Sequence, residues 1–225
     1  MMKWHVVCVL KTGGDFKVDC VLRLKEMVDR RFQDEHDFLC LTDAYIPGVQ
    51  CILLQQGWAG WWSKLELFCL WSMGLHEPVL YLDLDTVITA PFILPVPAEG
   101  ELYMLRDFLA WGKEEWKSRW WASGIMMWNT DLGFIFERAL KEGFHYFSKY
   151  YEWDQIFIGK AVRDQGKILM KAIDDVCVVR SYKIHRLAYE MLRNDVQIVC
   201  FHGKPRPWDV ETPWVKELWH GSPSD

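Results

Sequence analysis

The sequence predicts an α/β fold, with a mixed, mostly parallel sheet flanked by helices. Three observations carry the expectation. Short apolar, β-prone runs alternate with stretches of helical spacing. Several of those runs end abruptly in polar residues, as strands do at the edge of an open α/β sheet. Hydrophobic residues make up 51% of the 225 positions, enough for a sizeable core in one domain spanning the whole chain.

Residues 3–10 (KWHVVCVL) read as a first strand, leading into the glycine turn Lys11-Thr12-Gly13-Gly14-Asp15. Val18, Val21, Leu22 and Val28 then recur at helical spacing up to Arg31, and residues 37–41 (DFLCL) form a second strand ending at Thr42-Asp43. That β-α-β order opens a Rossmann-like sheet. Residues 50–55 predict a short third strand. Trp61, Leu65, Phe68 and Ser72 predict a helix stopped by Gly74. The run Val79-Leu80-Tyr81-Leu82 is a buried strand. Strands follow at 101–106 and 123–128, helices at 132–141 and 154–163, and late strands at 175–179 and 196–202. The tail, 209–225, shows no strong period.

Composition narrows the function classes. A net charge of −5 lacks the basic footprint of a nucleic-acid binder. No apolar run approaches a membrane span, and the N-terminus shows no cleavable-signal pattern. Of seven cysteines, Cys8, Cys40, Cys69, Cys177 and Cys200 lie in apolar runs, and no C-x-x-C occurs. Buried free thiols and a cytoplasmic location are the expectation.

The chemistry concentrates in two stretches. In VLYLDLDT (79–86) the strand delivers Asp83 and Asp85, which point the same way because residues i and i+2 share a face. Carboxylates are hard oxygen ligands suited to Mg²⁺ or Mn²⁺, whose shells often include substrate phosphates. The plainer alternative is a pair of carboxylates capping a turn. In FHGKPRPW (201–208), His202 sits at another strand end, where a neutral imidazole suits a metal shell. Gly203 leaves room for a ligand, Lys204 and Arg206 offer charge to phosphate, and Pro205 and Pro207 stiffen the loop. Here the plainer alternative is a structural histidine beside a turn.

YLDLDT (81–86), ASGIMMWN (122–129), WDQIF (153–157) and FHGKPRPW (201–208) occur in the order seen in GT-A glycosyltransferases. The chain resembles the glycogenin and galactosyltransferase-like (family 8-type) group over roughly residues 4–208. The resemblance implies a single GT-A domain that transfers a hexose from a nucleotide-sugar, with UDP as nucleotide, to a carbohydrate acceptor, with retention and with Mn²⁺ or Mg²⁺. It places the nucleotide in 1–82 and the metal, donor sugar and acceptor in 83–208. By resemblance Asp83, Asp85 and His202 match the metal ligands, and Gly203, Lys204 and Arg206 lie near the diphosphate. Lys64 matches a basic position beside the donor. Ser123, Gly124 and Asn129 fall in the donor-sugar strand, and Asp154 and Gln155 face the anomeric carbon. Lys11, Thr12 and Asp43 fall where the nucleoside sits. The chain departs from the pattern in three places. His202 and Gly203 are adjacent, Arg206 replaces a lysine before Pro-Trp, and Ala122 stands where asparagine often precedes Ser-Gly. Asp154 as an ordinary helix N-cap and Lys64 as a solvated helix residue are the plainer alternatives.

Two rivals compete. Asp83-Leu84-Asp85-Thr86-Val87-Ile88 also fits the first motif of haloacid-dehalogenase-like phosphatases, with Asp83 as nucleophile, Asp85 as acid/base and Asp174-Asp175 as late metal ligands. A non-catalytic carbohydrate-binding protein would use Trp111, Trp116, Trp120 and Trp121. The same tryptophan-rich stretch, 108–121, is expected to form a flap that helps bind a sugar acceptor.

Overall fold

The computed structural model describes residues 2–108, 121–187 and 194–220. The expected flap, apart from Phe108 and Trp121 at its ends, lies outside the described residues.

The main sheet has seven strands: β1 (Trp4–Leu10), β2 (His36–Thr42), β3 (Gln50–Leu53), β4 (Val79–Leu82), β6 (Glu101–Arg106), β7 (Trp121–Trp128) and β8 (Leu169–Ala172). Their spatial order is β3-β2-β1-β4-β7-β6-β8. All neighbours pair in parallel except at β7, which runs antiparallel to both β4 and β6. A second sheet of three strands, β5 (Thr86–Ile88), β9 (Val179–Ser181) and β10 (Ile198–Cys200), has β10 in its centre. β4 belongs to the first sheet and β5 to the second, so Asp83-Leu84-Asp85 is the corner between them.

Helices cover both faces. On one side lies α1 (Val18–Arg31), which buries Cys20, Val21, Leu24, Met27 and Val28 at spacings of three and four. Leu22, expected on that stripe, is instead an exposed residue. Asp19 in the first turn and Arg30 and Arg31 in the last complement the helix dipole. On the other side lie α2 (Gly133–Glu142), α3 (Phe144–Tyr150) and α4 (Asp154–Gln165), with a core that includes Trp58, Trp62, Trp128, Phe147 and Phe157. α5 (Pro213–His220) closes the first side, with Val215 and Trp219 in the core of α1.

Several elements differ from expectation. Gly60–Cys69 is a 3₁₀ helix, with Gly74 ending the next short turn in the left-handed region as the sequence suggested. Its frame is fixed by Glu66, whose carboxylate accepts the backbone N–H groups of Gln55 (2.6 Å) and Gln56 (3.2 Å). The strand expected at 175–179 begins only at Val179, because Ile173–Asp175 turns as a 3₁₀ segment held by Arg106. β5, β8, α3 and α5 were not expected. All seven cysteines are free, and the five named above are buried. Among the described residues no helix is long and apolar enough to cross a membrane.

Candidate active site

The corner after β4 is tight. The Asp83 N–H donates to the Gly124 carbonyl of β7 at 2.8 Å, and the Thr86 N–H donates back to the Asp83 carbonyl at 3.1 Å. Leu84 and Asp85 are both buried in the turn that follows β4, so the in-and-out alternation expected of a continuing strand does not extend through the two aspartates. Gly124 lets the carboxylate lie against β7, since a Cβ there would come within 3.3 Å of Asp83 Oδ2.

Lys64 is the centre of the site. It stands on the 3₁₀ helix, is 5% exposed, and spans three elements. Its ammonium lies 3.1 Å from Asp83 Oδ1 and 3.2 Å from Asp154 Oδ2, and it donates to Ser123 Oγ at 3.0 Å and to the Ser123 carbonyl at 3.3 Å. The Ser123 hydroxyl in turn donates to Asp154 Oδ2 at 2.7 Å, and Gln155 Oε1 lies 3.5 Å from the same hydroxyl. Tyr81, two residues before Asp83 on the same strand face, donates its phenol to Asp83 Oδ1. Burial opposes the charge on Lys64, but Asp154 and Asp83 outweigh it and hold the ammonium above the ordinary lysine range. Lys64 is therefore a buried cation in a charge network and not a solvated helix residue. Asp154 is the first residue of α4, after Trp153 at the cap position, so it is not the N-cap; its carboxylate sits at the favourable end of the helix dipole.

Asp85 is built differently. It is 4% exposed and paired with the Arg206 guanidinium. Burial and the charge of Asp83 push its carboxyl up to about 6, against the pull of Arg206 and Lys64. Arg206 also lies over the Phe16 ring, 4.6 Å from its centroid, and 3.8 Å from Asp15. β10 carries the loop here: Cys200 pairs with Thr86, and the Phe201 N–H donates to the Asp85 carbonyl at 3.3 Å. His202 follows, its Nε2 2.6 Å from Ser181 Oγ and its ring stacked on Phe108 at 5.4 Å. Burial and nearby Lys183 pull the imidazole down to about 4, so it is neutral at physiological pH. Lys183 donates to the His202 carbonyl at 2.5 Å, and Gly203 adopts φ 83° beside it. Lys204 is exposed. Among the described residues no three His, Cys, Asp or Glu side chains gather closely enough to hold a metal ion. The expected metal triad is therefore not preassembled: Asp83 is clamped by Lys64, Asp85 by Arg206 and His202 by Ser181.

The three residues expected on the nucleoside side do come together. Asp43 accepts the Thr12 backbone N–H and hydroxyl, both at 2.9 Å, and pairs with Lys11. Burial works against the charge, yet these donors hold the carboxyl down to about 2. Asn129 does not join the site. β7 runs antiparallel to β4, with Ile125 opposite Leu82 and Trp128 opposite Val79, so Asn129 leaves at the far end of the sheet. Five strand residues put it about 16 Å from Gly124. The late acidic pair of the phosphatase reading is also committed elsewhere. Asp174 takes the Arg106 guanidinium at 2.6 Å and Asp175 takes it at 2.7 Å. Tyr81, Phe16, Phe108, Ser181 and Lys183 are site residues that sequence reasoning missed. Only Tyr81 carried a local signal, its i, i−2 relation to Asp83.

No protein-family model matches the chain, and no curated protein matches it. Solved structures do. The galactosyltransferase LgtC, in complex with donor and acceptor sugar analogs, superposes with a TM-score of 0.57 at 12% identity, covering 98% of this chain and 97% of that one. The apo-form glycosyltransferase GlyE of Streptococcus pneumoniae gives a TM-score of 0.63 at 14% identity, covering 99% of this chain. The chain spans 61% of the GlyE chain. This chain has the GT-A fold. The phosphatase reading finds no support in that architecture, and the order of the four motifs acquires a common frame.

Proposed function

We propose that the chain is a glycosyltransferase that moves a hexose from a UDP-sugar to a carbohydrate hydroxyl, with retention of anomeric configuration and with the aid of a divalent cation. The observation that carries this reading is the Lys64 clamp. One buried ammonium ties the D-x-D corner to Ser123 and to Asp154 beside Gln155, on elements of a GT-A sheet that meet at one edge. LgtC is known with donor and acceptor sugar analogs and as an active-site variant with glutamine changed to glutamate. Gln155 is the candidate for an amide in that role here.

The donor set fits Mn²⁺ or Mg²⁺. Asp83 and Asp85 are hard oxygen donors whose charges oppose one another, a conflict that a divalent cation removes. His202 is neutral, the form in which an imidazole ligates, and would complete the set. When bound, the ion supplies Lewis-acid stabilisation of the leaving diphosphate. Arg206 and Lys204 bind the diphosphate, and in moving to phosphate Arg206 releases Asp85. Gly203 leaves the backbone open to the ligand. Ser123 and Gly124 line the donor sugar, and Gln155 steadies positive charge developing at the anomeric carbon. Asp154 orients Lys64 and the Ser123 hydroxyl. Lys11, Thr12 and Asp43 frame the nucleoside as one rigid unit.

The test is a nucleotide-sugar hydrolysis panel run with Mn²⁺ and with EDTA, with NMR of the released sugar. One UDP-sugar is expected to yield UDP and free sugar only with the metal, the first-formed anomer matching the donor. A panel in which no UDP-sugar is consumed, or in which EDTA changes nothing, sinks the reading.

A further inference from the structure

Trp61 and Trp153 form an exposed aromatic pair that the donor site does not use. Their ring centroids are 5.2 Å apart and their planes meet at 42°, so the two indoles make a shallow V. Trp61 is 48% exposed and Trp153 42%. Neighbouring tryptophans show that burial was available. Trp58 and Trp62 are each 6% exposed and pack against Phe147. Indole surface left in water forgoes that stabilisation, and a paired aromatic patch of this kind marks a contact site.

Its place in the fold says what it touches. Trp61 precedes Lys64 by three residues on the 3₁₀ helix, and in that helix residues three apart eclipse one another. Trp153 directly precedes Asp154 at the start of α4. The Lys64–Asp154 ion pair, 3.2 Å long, joins the same two segments below. The indole pair thus repeats that pairing at the surface, on the rim of the buried cluster of Lys64, Asp154 and Ser123. Gln155, two residues along from Trp153, reaches the same cluster, its Oε1 3.5 Å from Ser123 Oγ.

We propose that Trp61 and Trp153 form the acceptor subsite, where the apolar face of a pyranose ring of a saccharide stacks. The inference rests on the glycosyltransferase reading and deepens it by assigning the acceptor's place. Indole faces suit the C–H face of a sugar ring, and a V of two faces holds a ring at a set angle. The acceptor hydroxyl then projects from the rim toward Gln155, and the stack excludes water from that side of the reacting centre.

The experiment is a printed glycan array probed with the full chain, in wells with and without UDP and Mn²⁺, with UDP binding measured by calorimetry on each protein. Wild type is expected to be retained by a saccharide subset. Trp61→Ala and Trp153→Ala should each lose retention by about tenfold or more, and Trp153→Phe should recover part of it. Tyr146→Ala, at a different exposed aromatic pair, should retain the wild-type pattern. Wild type that binds UDP but no glycan overturns the acceptor subsite, as does undiminished retention in both alanine variants. Alanine variants that dissociate a wild-type dimer in sedimentation while keeping glycan retention also overturn it, assigning the patch to self-association. Absence of UDP binding by wild type instead overturns the proposed function, and the UDP-free wells still decide the role of the tryptophans.

Discussion

Asp43 and Asp85 close neighbouring parts of the same sheet edge, and they are built in opposite ways. Asp43 follows β2 and meets three donors, Lys11 and both donors of Thr12, which stabilise its charge and hold its carboxyl at about 2. Asp85 follows β4, is buried beside another carboxylate, and its carboxyl is raised to about 6 although Arg206 pairs with it. One end of the edge is satisfied as it stands. The other crowds Asp83, Asp85 and Asp154 around two cationic side chains, Lys64 and Arg206. Under the proposed function, the first arrangement suits a frame that holds a nucleoside, and the second suits a centre where Arg206 is exchanged for an ion and a diphosphate.

The largest expected effect follows from that asymmetry. Asp85→Ala should lower turnover of a UDP-sugar by on the order of 10²-fold or more, as losses of comparable electrostatic groups do. Asp43→Ala should act mainly through a weaker KM for the donor. Steady-state kinetics on both variants check this. Near-normal kcat in Asp85→Ala would erase the contrast.

At the crowded end Lys64 is the buried cation shared by Asp83 and Asp154. Lys64→Met keeps the apolar stem but leaves Asp154 and Asp83 without their shared cation. Breaking a buried pair in this way costs about 3–5 kcal/mol. Urea denaturation should therefore show a large loss of stability, whereas Lys11→Met at the open end should cost far less, as for an exposed pair. Equal losses would mean that Lys64 is not the keystone of the site.

The legible part of this architecture was the part written in contiguous residues. The strand ending in Asp83 and Asp85, the first β-α-β unit and the strand leading to His202 all declare themselves through apolar runs and their polar ends. Asn129 was misplaced because a sequence pattern identifies a strand but not its direction in the sheet, and β7 is antiparallel to its neighbours. Of the second sheet, β10 was expected within 196–202 and β9 only as a strand ending at 179, whereas β5 has three residues, too few to show a period, and nothing local says that these strands pair with one another. Partners distant in sequence, such as Ser181 at the end of β9 for His202 and Arg206 for Asp85, have no local signature, since 21 and 121 residues separate them. Lys64 was visible only through resemblance. Its burial comes from three elements meeting, which no single stretch encodes.

Under the proposed function Arg206 links the crowded end to the donor. Arg206→Ala should weaken UDP binding by about tenfold, as expected for losing a charge-assisted contact, while uridine binding changes little. The same variant leaves Asp85 unpaired in the free protein, so Mn²⁺ measured by EPR in the absence of nucleotide should bind it more tightly than wild type. Equal weakening of UDP and uridine would place Arg206 away from the phosphates.

The smallest effect is the one that isolates the two carboxylates most cleanly, because it needs no substrate. For Asp85 the folded-state value, about 6, lies above the ordinary carboxylate value of 3.8, so the folded protein holds this proton more tightly than the unfolded chain. Its ionisation therefore costs stability as pH rises between about 4 and 6. Asp85→Asn removes that cost, so the variant's Tm minus that of wild type should climb across this window and level off above it. For Asp43 the folded value, about 2, lies below 3.8, and the sign reverses. Its stabilisation is fully present above pH 4 and is lost as pH falls toward 2. Asp43→Asn should then be less stable than wild type at neutral pH and converge with it in acid. Each slope should amount to on the order of a few degrees in Tm. Calorimetric scans of the three proteins from about pH 2 to 8 read both slopes together. Two slopes of the same sign would show that the open and crowded ends of the sheet edge are electrostatically alike.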